Sequence, residues 1–227
     1  MRRAASLFLV IFALGFACAC GGGSSAGTAN LRFVQGSPDA PAVAYVVNGT
    51  TQSSNLLYGN ASSYANVKSG SPQVQIIPVN STKPLLSQAV SLAESANETI
   101  VLTGPVSQLK PLVLDDGNTT GTSSSNNVRV LNISTTMGPA DVYIVSSGSN
   151  LSGATPVAQG LDFDQNTGYL GTGSTTGNVD IYFTKPGTQS VYLSTGSLNL
   201  STTQKQTIVV LDSPAGNGFK FILLNDQ

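Results

Sequence analysis

The chain has 227 residues and a net charge of −1, and its composition is 40% hydrophobic but only 9% charged. Such a chain buries enough apolar surface to fold, and it has no excess of basic residues for binding nucleic acid. It contains no histidine, and its two cysteines, Cys18 and Cys20, both lie near the N-terminus. Ser-His-Asp and Cys-His catalysis and a thiolate zinc site are therefore excluded from the rest of the chain, and no cofactor is expected.

The first segment, residues 1–19, is predicted to be a lipoprotein signal peptide. The positively charged start MRR precedes an apolar run over residues 4–17. As a helix this run rises only ~21 Å, less than the ~30 Å hydrocarbon core of a bilayer, which disfavours a permanent span. The small residues before Cys20 resemble a bacterial lipobox, so Cys20 is the predicted lipidation site. Cys18 is the rival site, and ordinary secretion without acylation is the other alternative.

Residues 20–30 are predicted to be the lipidated cysteine and a flexible linker, GGGSSAGTAN. Such a linker between a lipid and a folded region indicates a membrane tether at the N-terminus. Gly21, rather than Asp, follows Cys20, which in a Gram-negative cell indicates sorting to the outer membrane. The predicted location is the bacterial cell envelope, at the outer membrane or the cell surface.

An internal duplication divides the remainder of the chain. The segment LRFVQGSPDAPAVAYVV from Leu31 aligns with VRVLNISTTMGPADVYIV from Val128, and LKPLVLDD from Leu109 aligns with FKFILLND from Phe219. The polar segment between the copies has no apolar residue over 115–127. The sequence therefore predicts domain 1 at residues 31–116, a linker at 117–127 and domain 2 at 128–227.

Each copy consists of short runs rich in Val, Ile, Leu and Tyr, separated by Gly, Pro, Asn and Ser, and no window shows a clear helical stripe. This pattern predicts an all-β protein of two tandem β-sandwich domains, immunoglobulin-like or similar. The strands predicted in the first copy are near residues 31–35, 42–47, 55–58, 63–68, 73–79, 86–92, 98–103 and 109–115.

At SPDAPAV, preceded by an apolar strand and followed by YVVNG, the sequence resembles the domain-of-unknown-function 4397 family of secreted and surface-attached bacterial proteins. The resemblance covers both copies. It implies an extracytoplasmic β-sandwich module, often in tandem, without an established activity. The chain has Gln35, Gly36 and Ala44 where the family pattern HASPDAPAVDVYV has His, Ala and Asp.

Asp39, in the corner Ser37–Pro41, is the first candidate for chemistry. Its carboxylate could be a metal ligand or a general base, but an Asx-type turn, in which it accepts a backbone N–H, explains the residue better. The aligned residue of the second copy is Thr136, which cannot act as a carboxylate.

Asp162, Asp164 and Asn166 form the second candidate, because alternating oxygen ligands are typical of calcium loops. The helical-hand loop requires Gly at its sixth position and Glu at its twelfth, where this chain has Thr167 and Gly173. A solvated strand edge is therefore the favoured interpretation of the three residues.

The remaining charged and aromatic residues are predicted to have structural roles. Asp115, Asp116, Asp212 and Asp226 are expected to be polar strand ends, because adjacent residues of a strand point to opposite faces and do not form the carboxylate pair of a glycosidase. Arg32 and Arg129 are expected to point outward between apolar neighbours, where a shared ion pair is plausible. Tyr64 and Tyr169 recur in register, which favours packing.

The sequence therefore predicts a lipid-anchored protein that displays two non-catalytic modules for binding, adhesion or envelope structure. Its expected partners are the membrane, through the N-terminal lipid, and a glycan or an envelope protein. Two alternatives remain: a carbohydrate-binding module and, less favoured, a hydrolase that uses carboxylates.

Overall fold

The computed structural model describes residues 27–117, 127–171, 178–200, 205–214 and 216–226. Cys18, Cys20 and the predicted signal peptide lie outside the described residues, as do positions 118–126 of the predicted linker. The described chain is almost entirely β-structure, with one short 3-10 helix, Val106–Gln108. The all-β prediction is confirmed.

Domain 1 contains eight strands in two four-stranded sheets, with the orders β4-β1-β7-β8 and β3-β2-β5-β6. The first strand runs parallel to the seventh, and every other pair within the two sheets is antiparallel. The strands are β1 Thr28–Gln35, β2 Val43–Val47, β3 Thr50–Leu56, β4 Ala65–Lys68, β5 Gln73–Pro78, β6 Leu86–Ala89, β7 Asn97–Thr103 and β8 Lys110–Asp115.

Domain 2 repeats this topology strand for strand, with the sheet orders β12-β9-β15-β16 and β11-β10-β13-β14 and a parallel β9–β15 pair. The duplication inferred from the sequence is thus a duplication of the fold. The strands are β9 Asn127–Asn132, β10 Ala140–Ser146, β11 Ala158–Leu161, β12 Gln165–Gly171, β13 Val179–Thr184, β14 Val191–Leu198, β15 Gln206–Asp212 and β16 Phe219–Asn225.

Two strands of domain 1 begin earlier than predicted. β1 begins at Thr28, inside the predicted linker 20–30, because residues 28–31 pair with β4 and Ala29 is buried in the core. β3 begins at Thr50 rather than near 55, because Asn48 and Gly49 close a two-residue hairpin with φ of 47° and 80°. Asn-Gly is the dipeptide that most favours this type of turn, in which both central residues have positive φ.

Three separate apolar cores define four layers of sheet. One core lies between the two sheets of domain 1 and includes Phe33, Tyr45 and Ile76. A second lies between the two sheets of domain 2 and includes Ile181 and Phe183. The third contains residues of both domains, and it joins the β4-β1-β7-β8 sheet of domain 1 to the β12-β9-β15-β16 sheet of domain 2. Those two sheets are consequently buried on both faces.

The strand directions give the molecule two distinct poles. One pole, here called the base, contains the starts of β1 and β9 and the ends of β8 and β16. The Lys205 ammonium joins the domains at the base by donating to the Gly117 carbonyl at 3.1 Å. At the opposite pole, here called the tip, are the β1–β2, β7–β8, β9–β10 and β15–β16 loops. The Tyr58 hydroxyl joins the domains at the tip by donating to the Asp212 carbonyl at 2.9 Å.

Candidate functional site at the interface between the domains

Two arginines lie at equivalent positions of the two central strands that face each other across the interface. In β1, Leu31 and Phe33 point into the core of domain 1, so Arg32 points toward domain 2. Arg129 occupies the same place in β9. These side chains point outward from their own domain, as predicted, but the other domain covers them, and Arg32 is 4% exposed and Arg129 is 3% exposed.

Each guanidinium binds its own domain with one nitrogen and the other domain with two. Arg129 donates from Nε to Thr207 Oγ1 at 2.9 Å, from Nη1 to the Asp115 carbonyl at 2.9 Å and from Nη2 to Asp116 Oδ1 at 2.5 Å. Such a fork uses the fixed geometry of arginine, which lysine could not reproduce.

Arg32 makes the same three bonds on the other side. Its Nε donates to Thr99 Oγ1 at 2.9 Å, Nη1 donates to the Asn225 carbonyl at 2.8 Å, and Nη2 donates to Asp226 Oδ1 at 2.5 Å. Asp116 and Asp226 do lie at strand ends, as predicted. They are not solvated, however, because the opposing domain covers them.

The second oxygen of each aspartate accepts two further hydrogen bonds. Asp116 Oδ2 accepts from Thr99 at 2.5 Å and from Tyr64 at 2.7 Å. Asp226 Oδ2 accepts from Thr207 at 2.6 Å and from Tyr169 at 2.7 Å. The arginines also lie over the rings of these two tyrosines, each 4.6 Å from the ring centre.

These eight residues are called the interdomain charge cluster: Arg32, Tyr64, Thr99, Asp116, Arg129, Tyr169, Thr207 and Asp226. Burial first, and the neighbouring carboxylates next, raise the pKa of the Tyr64 phenol above its usual value of 10. Burial also raises the pKa of Tyr169, although Arg129 opposes the shift. Both phenols therefore stay protonated and remain donors to the carboxylates at physiological pH.

The cluster has approximate two-fold symmetry, since exchanging the two domains exchanges every donor and acceptor with its equivalent. Each carboxylate accepts from an arginine, a threonine and a tyrosine, which leaves little capacity for abstracting a proton from a substrate. The arrangement is suited to fixing the two domains relative to each other. It holds four charges between them, each matched by an opposite charge.

Apolar residues continue the interface from the cluster toward the tip, with Val34, Val101 and Leu114 from domain 1 against Leu131 and Val209 from domain 2, among others. One packing contact of this interface departs from the symmetry. Gly36 lies against Ile133, which is its own equivalent in domain 2, and a Cβ added to Gly36 would overlap the Ile133 side chain. A small residue on one side thus accommodates a large one on the other.

Asp39 joins two loops of the tip rather than closing a local turn. Its Oδ1 accepts the backbone N–H of Val106 at 2.8 Å, from the loop that follows β7, and lies 3.3 Å from the Ser37 hydroxyl. The prediction that Asp39 accepts a backbone N–H was correct. The prediction of a local Asx turn was wrong, because the donor lies in a distant part of the chain.

Domain 2 makes the equivalent connection from the opposite loop. Asp212, at the end of β15, accepts the backbone N–H of Thr135 at 2.9 Å and its hydroxyl at 2.8 Å, and it also accepts from the hydroxyls of Ser134 and Thr136. Burial alone would raise the pKa of Asp212, but these hydrogen bonds outweigh it and hold the pKa below its usual value. The carboxylate has changed strand between the copies, while the two loops it joins are the same.

The three residues considered as calcium ligands, Asp162, Asp164 and Asn166, each have a different partner. Asp162 accepts the backbone N–H of Phe163 at 2.7 Å, and Asn166 accepts that of Gly168 at 2.9 Å. Asp164 forms an ion pair with Lys110 of domain 1. The described part of the chain contains no cluster of three or more His, Cys, Asp or Glu side chains suited to hold a metal ion.

The described part also contains no helix long and apolar enough to cross a membrane.

A signal for the interface was present in the sequence but was not used. The runs ETIVL and QTIVV of β7 and β15 are apolar at consecutive positions, as in strands that are buried on both faces. In a sandwich whose outer faces meet solvent, alternate positions would be polar. These runs, together with the repeated Arg and Asp, could have identified the sheets that pack together.

The fold and its central cluster define a two-domain, all-β protein built from duplicated β-sandwiches. The family model described as "Domain of unknown function (DUF4397)" matches residues 29–143, about half of the chain, from β1 into β10. The chain belongs to this family, as the SPDAPAV motif indicated. A comparison with curated proteins found no match.

Proposed function

We propose that this protein is a lipid-anchored, extracytoplasmic binding module of the bacterial cell envelope, without catalytic activity, that presents its tip to a ligand. The observation that carries the proposal is the position of Gly27. This residue lies at the base of domain 1, where its carbonyl accepts from the backbone N–H of Ser69 at 2.9 Å, and only six residues lie between it and Cys20.

The seven Cα-to-Cα steps from Cys20 to Gly27 span at most about 25 Å when the chain is fully extended. A lipid on Cys20 would therefore hold the base close to the membrane, and the tip would face away from it. Several acyl chains on one residue make such attachment stable, since each buried methylene contributes about 0.8 kcal/mol.

The interdomain charge cluster supports a role in presentation rather than catalysis. Asp116 and Asp226 lie near the base and are enclosed by donors from both domains, so they fix the orientation of the two domains that carry the tip loops. A preordered binding surface avoids the entropic cost of ordering loops when a ligand binds. A hydrolase based on this pair of carboxylates is disfavoured, because neither has an oxygen free to face a substrate.

Mass spectrometry of the mature N-terminus tests the anchor. The wild-type protein, produced in a Gram-negative host, is expected to begin at an acylated Cys20 and to partition with membranes. Cys20→Ala should remain unprocessed, whereas Cys18→Ala should be acylated as the wild type is. An unmodified N-terminus beyond residue 20, or loss of acylation in Cys18→Ala alone, would contradict the assignment of Cys20.

A further inference from the structure

The tip has two equivalent corners, each with a lysine ammonium over an aromatic ring. At one corner Lys110 of domain 1 forms an ion pair with Asp164 and lies 5.6 Å from the ring centre of Phe163. At the other corner Lys220, the equivalent lysine of domain 2, lies 4.8 Å from the ring centre of Tyr58. The first corner therefore contains a lysine, an aromatic ring and a carboxylate, and the second contains only the lysine and the ring.

The missing carboxylate follows from one residue. Gly59 occupies the position of Asp164, and the two residues have the same left-handed conformation, with φ of 75° and 61°. A Cβ added to Gly59 would meet the end of the Lys220 side chain. The backbone of the second corner is thus arranged as in the first, but no side chain extends from Gly59 toward the lysine.

Lys220 consequently has no opposite charge. In the part of the chain that the structure describes, its ammonium makes no ion pair and no hydrogen bond, and burial lowers the pKa of Lys220 below its usual value of 10.5. The Tyr58 ring compensates a partly buried cation less well than an opposite charge does, so a carboxylate placed beside Lys220 would offset the cost of its burial.

A cleft of about 270 Å³ adjoins this corner and shares Tyr58 with it; its other lining residues include Pro38, Thr135, Thr136, Asp212 and Ser213. The hydroxyl protons of Thr135 and Thr136 are donated to the ionised Asp212 carboxylate, and that of Tyr58 to the Asp212 carbonyl. These three hydroxyls can therefore only accept from a ligand, so the cleft suits a ligand that donates hydrogen bonds.

We propose that the Lys220 corner and this cleft bind a carboxylate-bearing sugar, namely a uronic acid residue of an acidic glycan. The sugar carboxylate takes the place beside Lys220 that Asp164 occupies beside Lys110, and the sugar hydroxyls donate to Thr135, Thr136 and Tyr58. This inference deepens the binding role proposed above. It does not depend on the lipid, so failure of acylation at Cys20 would leave it intact.

The test measures binding of trigalacturonic acid to the soluble chain from residue 21 onward, by NMR titration and calorimetry at low ionic strength. The wild-type protein is expected to show saturable binding that weakens with added salt. The neutral methyl ester of the same trisaccharide should bind about tenfold more weakly or worse, because it lacks the charge-assisted contact.

Three variants locate the site. Lys220→Met removes the cation, and Gly59→Asp supplies an internal carboxylate in a conformation that Asp164 already tolerates; each should weaken binding about tenfold or more. Lys110→Met, at the closed corner, is the matched control and should bind as the wild type does. Circular dichroism and the melting temperature establish that each variant is folded. If Gly59→Asp does not fold, Lys220→Met alone tests the site.

Three outcomes would overturn the proposal. The first is no saturable binding of trigalacturonic acid by the wild-type protein. The second is unchanged binding in both Lys220→Met and Gly59→Asp. The third is equal or tighter binding of a triglutamate peptide at the same corner, which would assign the site to a protein carboxylate instead of a sugar.

Discussion

Replacing Asp116 by alanine should destabilise the protein far more than replacing its neighbour Asp115. Asp116 is fully buried and accepts from Arg129, Thr99 and Tyr64. Without it, the remaining ion pair of Arg129 among the described residues is with Asp226, at 3.7 Å, and the Thr99 and Tyr64 hydroxyls lose their acceptor. Removing one partner of a buried ion pair costs roughly 3–5 kcal/mol, because the remaining charge stays buried.

This cost is a large part of the roughly 5–15 kcal/mol by which a typical protein is stable. For a chain of this length it corresponds to a decrease of about 6–20 °C in melting temperature. The Asp115 side chain is exposed, and its carbonyl, not its carboxylate, accepts from Arg129. Asp115→Ala should therefore change the stability by no more than about 0.5 kcal/mol.

Urea denaturation and calorimetry at low and moderate salt concentration measure both variants. The loss in Asp116→Ala should be nearly independent of salt, since buried charges are poorly screened. Asp226→Ala should behave alike, because the two aspartates are equivalent by the approximate symmetry. The reasoning fails if Asp116→Ala costs less than about 1 kcal/mol, or no more than Asp115→Ala, because the charge cluster would then not hold the domains together.

Two further predictions concern titrating groups. Glu98 is buried, its Oε2 has no hydrogen-bond partner among the described residues, and burial raises its pKa; Gln206 stands at the equivalent place. Glu98→Gln should therefore stabilise the protein at pH 7, and the gain should vanish below about pH 4.5, where Glu98 is protonated in both the folded and unfolded states. Asp212 has a lowered pKa, so its carboxylate stabilises the fold above an unfolded pKa near 3.8, and this contribution is lost as pH falls through the folded value. Asp212→Asn should thus lower the melting temperature at pH 7 and progressively less below about pH 4; a difference constant from pH 7 to 3 would contradict this.

The sequence predicted the strands well because their pattern is local. All eight strands of domain 1 were located, since short apolar runs between Gly, Pro and Asn are sufficient to identify strands. The start of β3 was misplaced because the turn at Asn48 and Gly49 was not used as a hairpin signal. Both features depend on residues that are adjacent in the chain.

The site was much harder to predict, because its contacts join distant segments. Arg32 and Asp226 lie at opposite ends of the described chain, and their contact depends on how the two domains pack, which strand patterns do not determine. The same holds for Asp39, whose role was predicted but whose partner, Val106, was not. The open corner at Lys220 becomes visible only when the two copies are compared in three dimensions.

The approximate symmetry of the charge cluster makes the interface resemble that of a homodimer contained within one chain, because each domain offers the other the same groups that it receives. Those polar contacts alone would allow two copies of the same domain to pair. The packing around Gly36 and Ile133 does not allow two copies of the same domain to pair. A pair of first domains would set glycine against glycine and leave a void, and a pair of second domains would set two isoleucines where one already fills the space. Because the ionic contacts are alike on both sides, the pairing of Gly36 with Ile133 is the feature that distinguishes the correct partner domain.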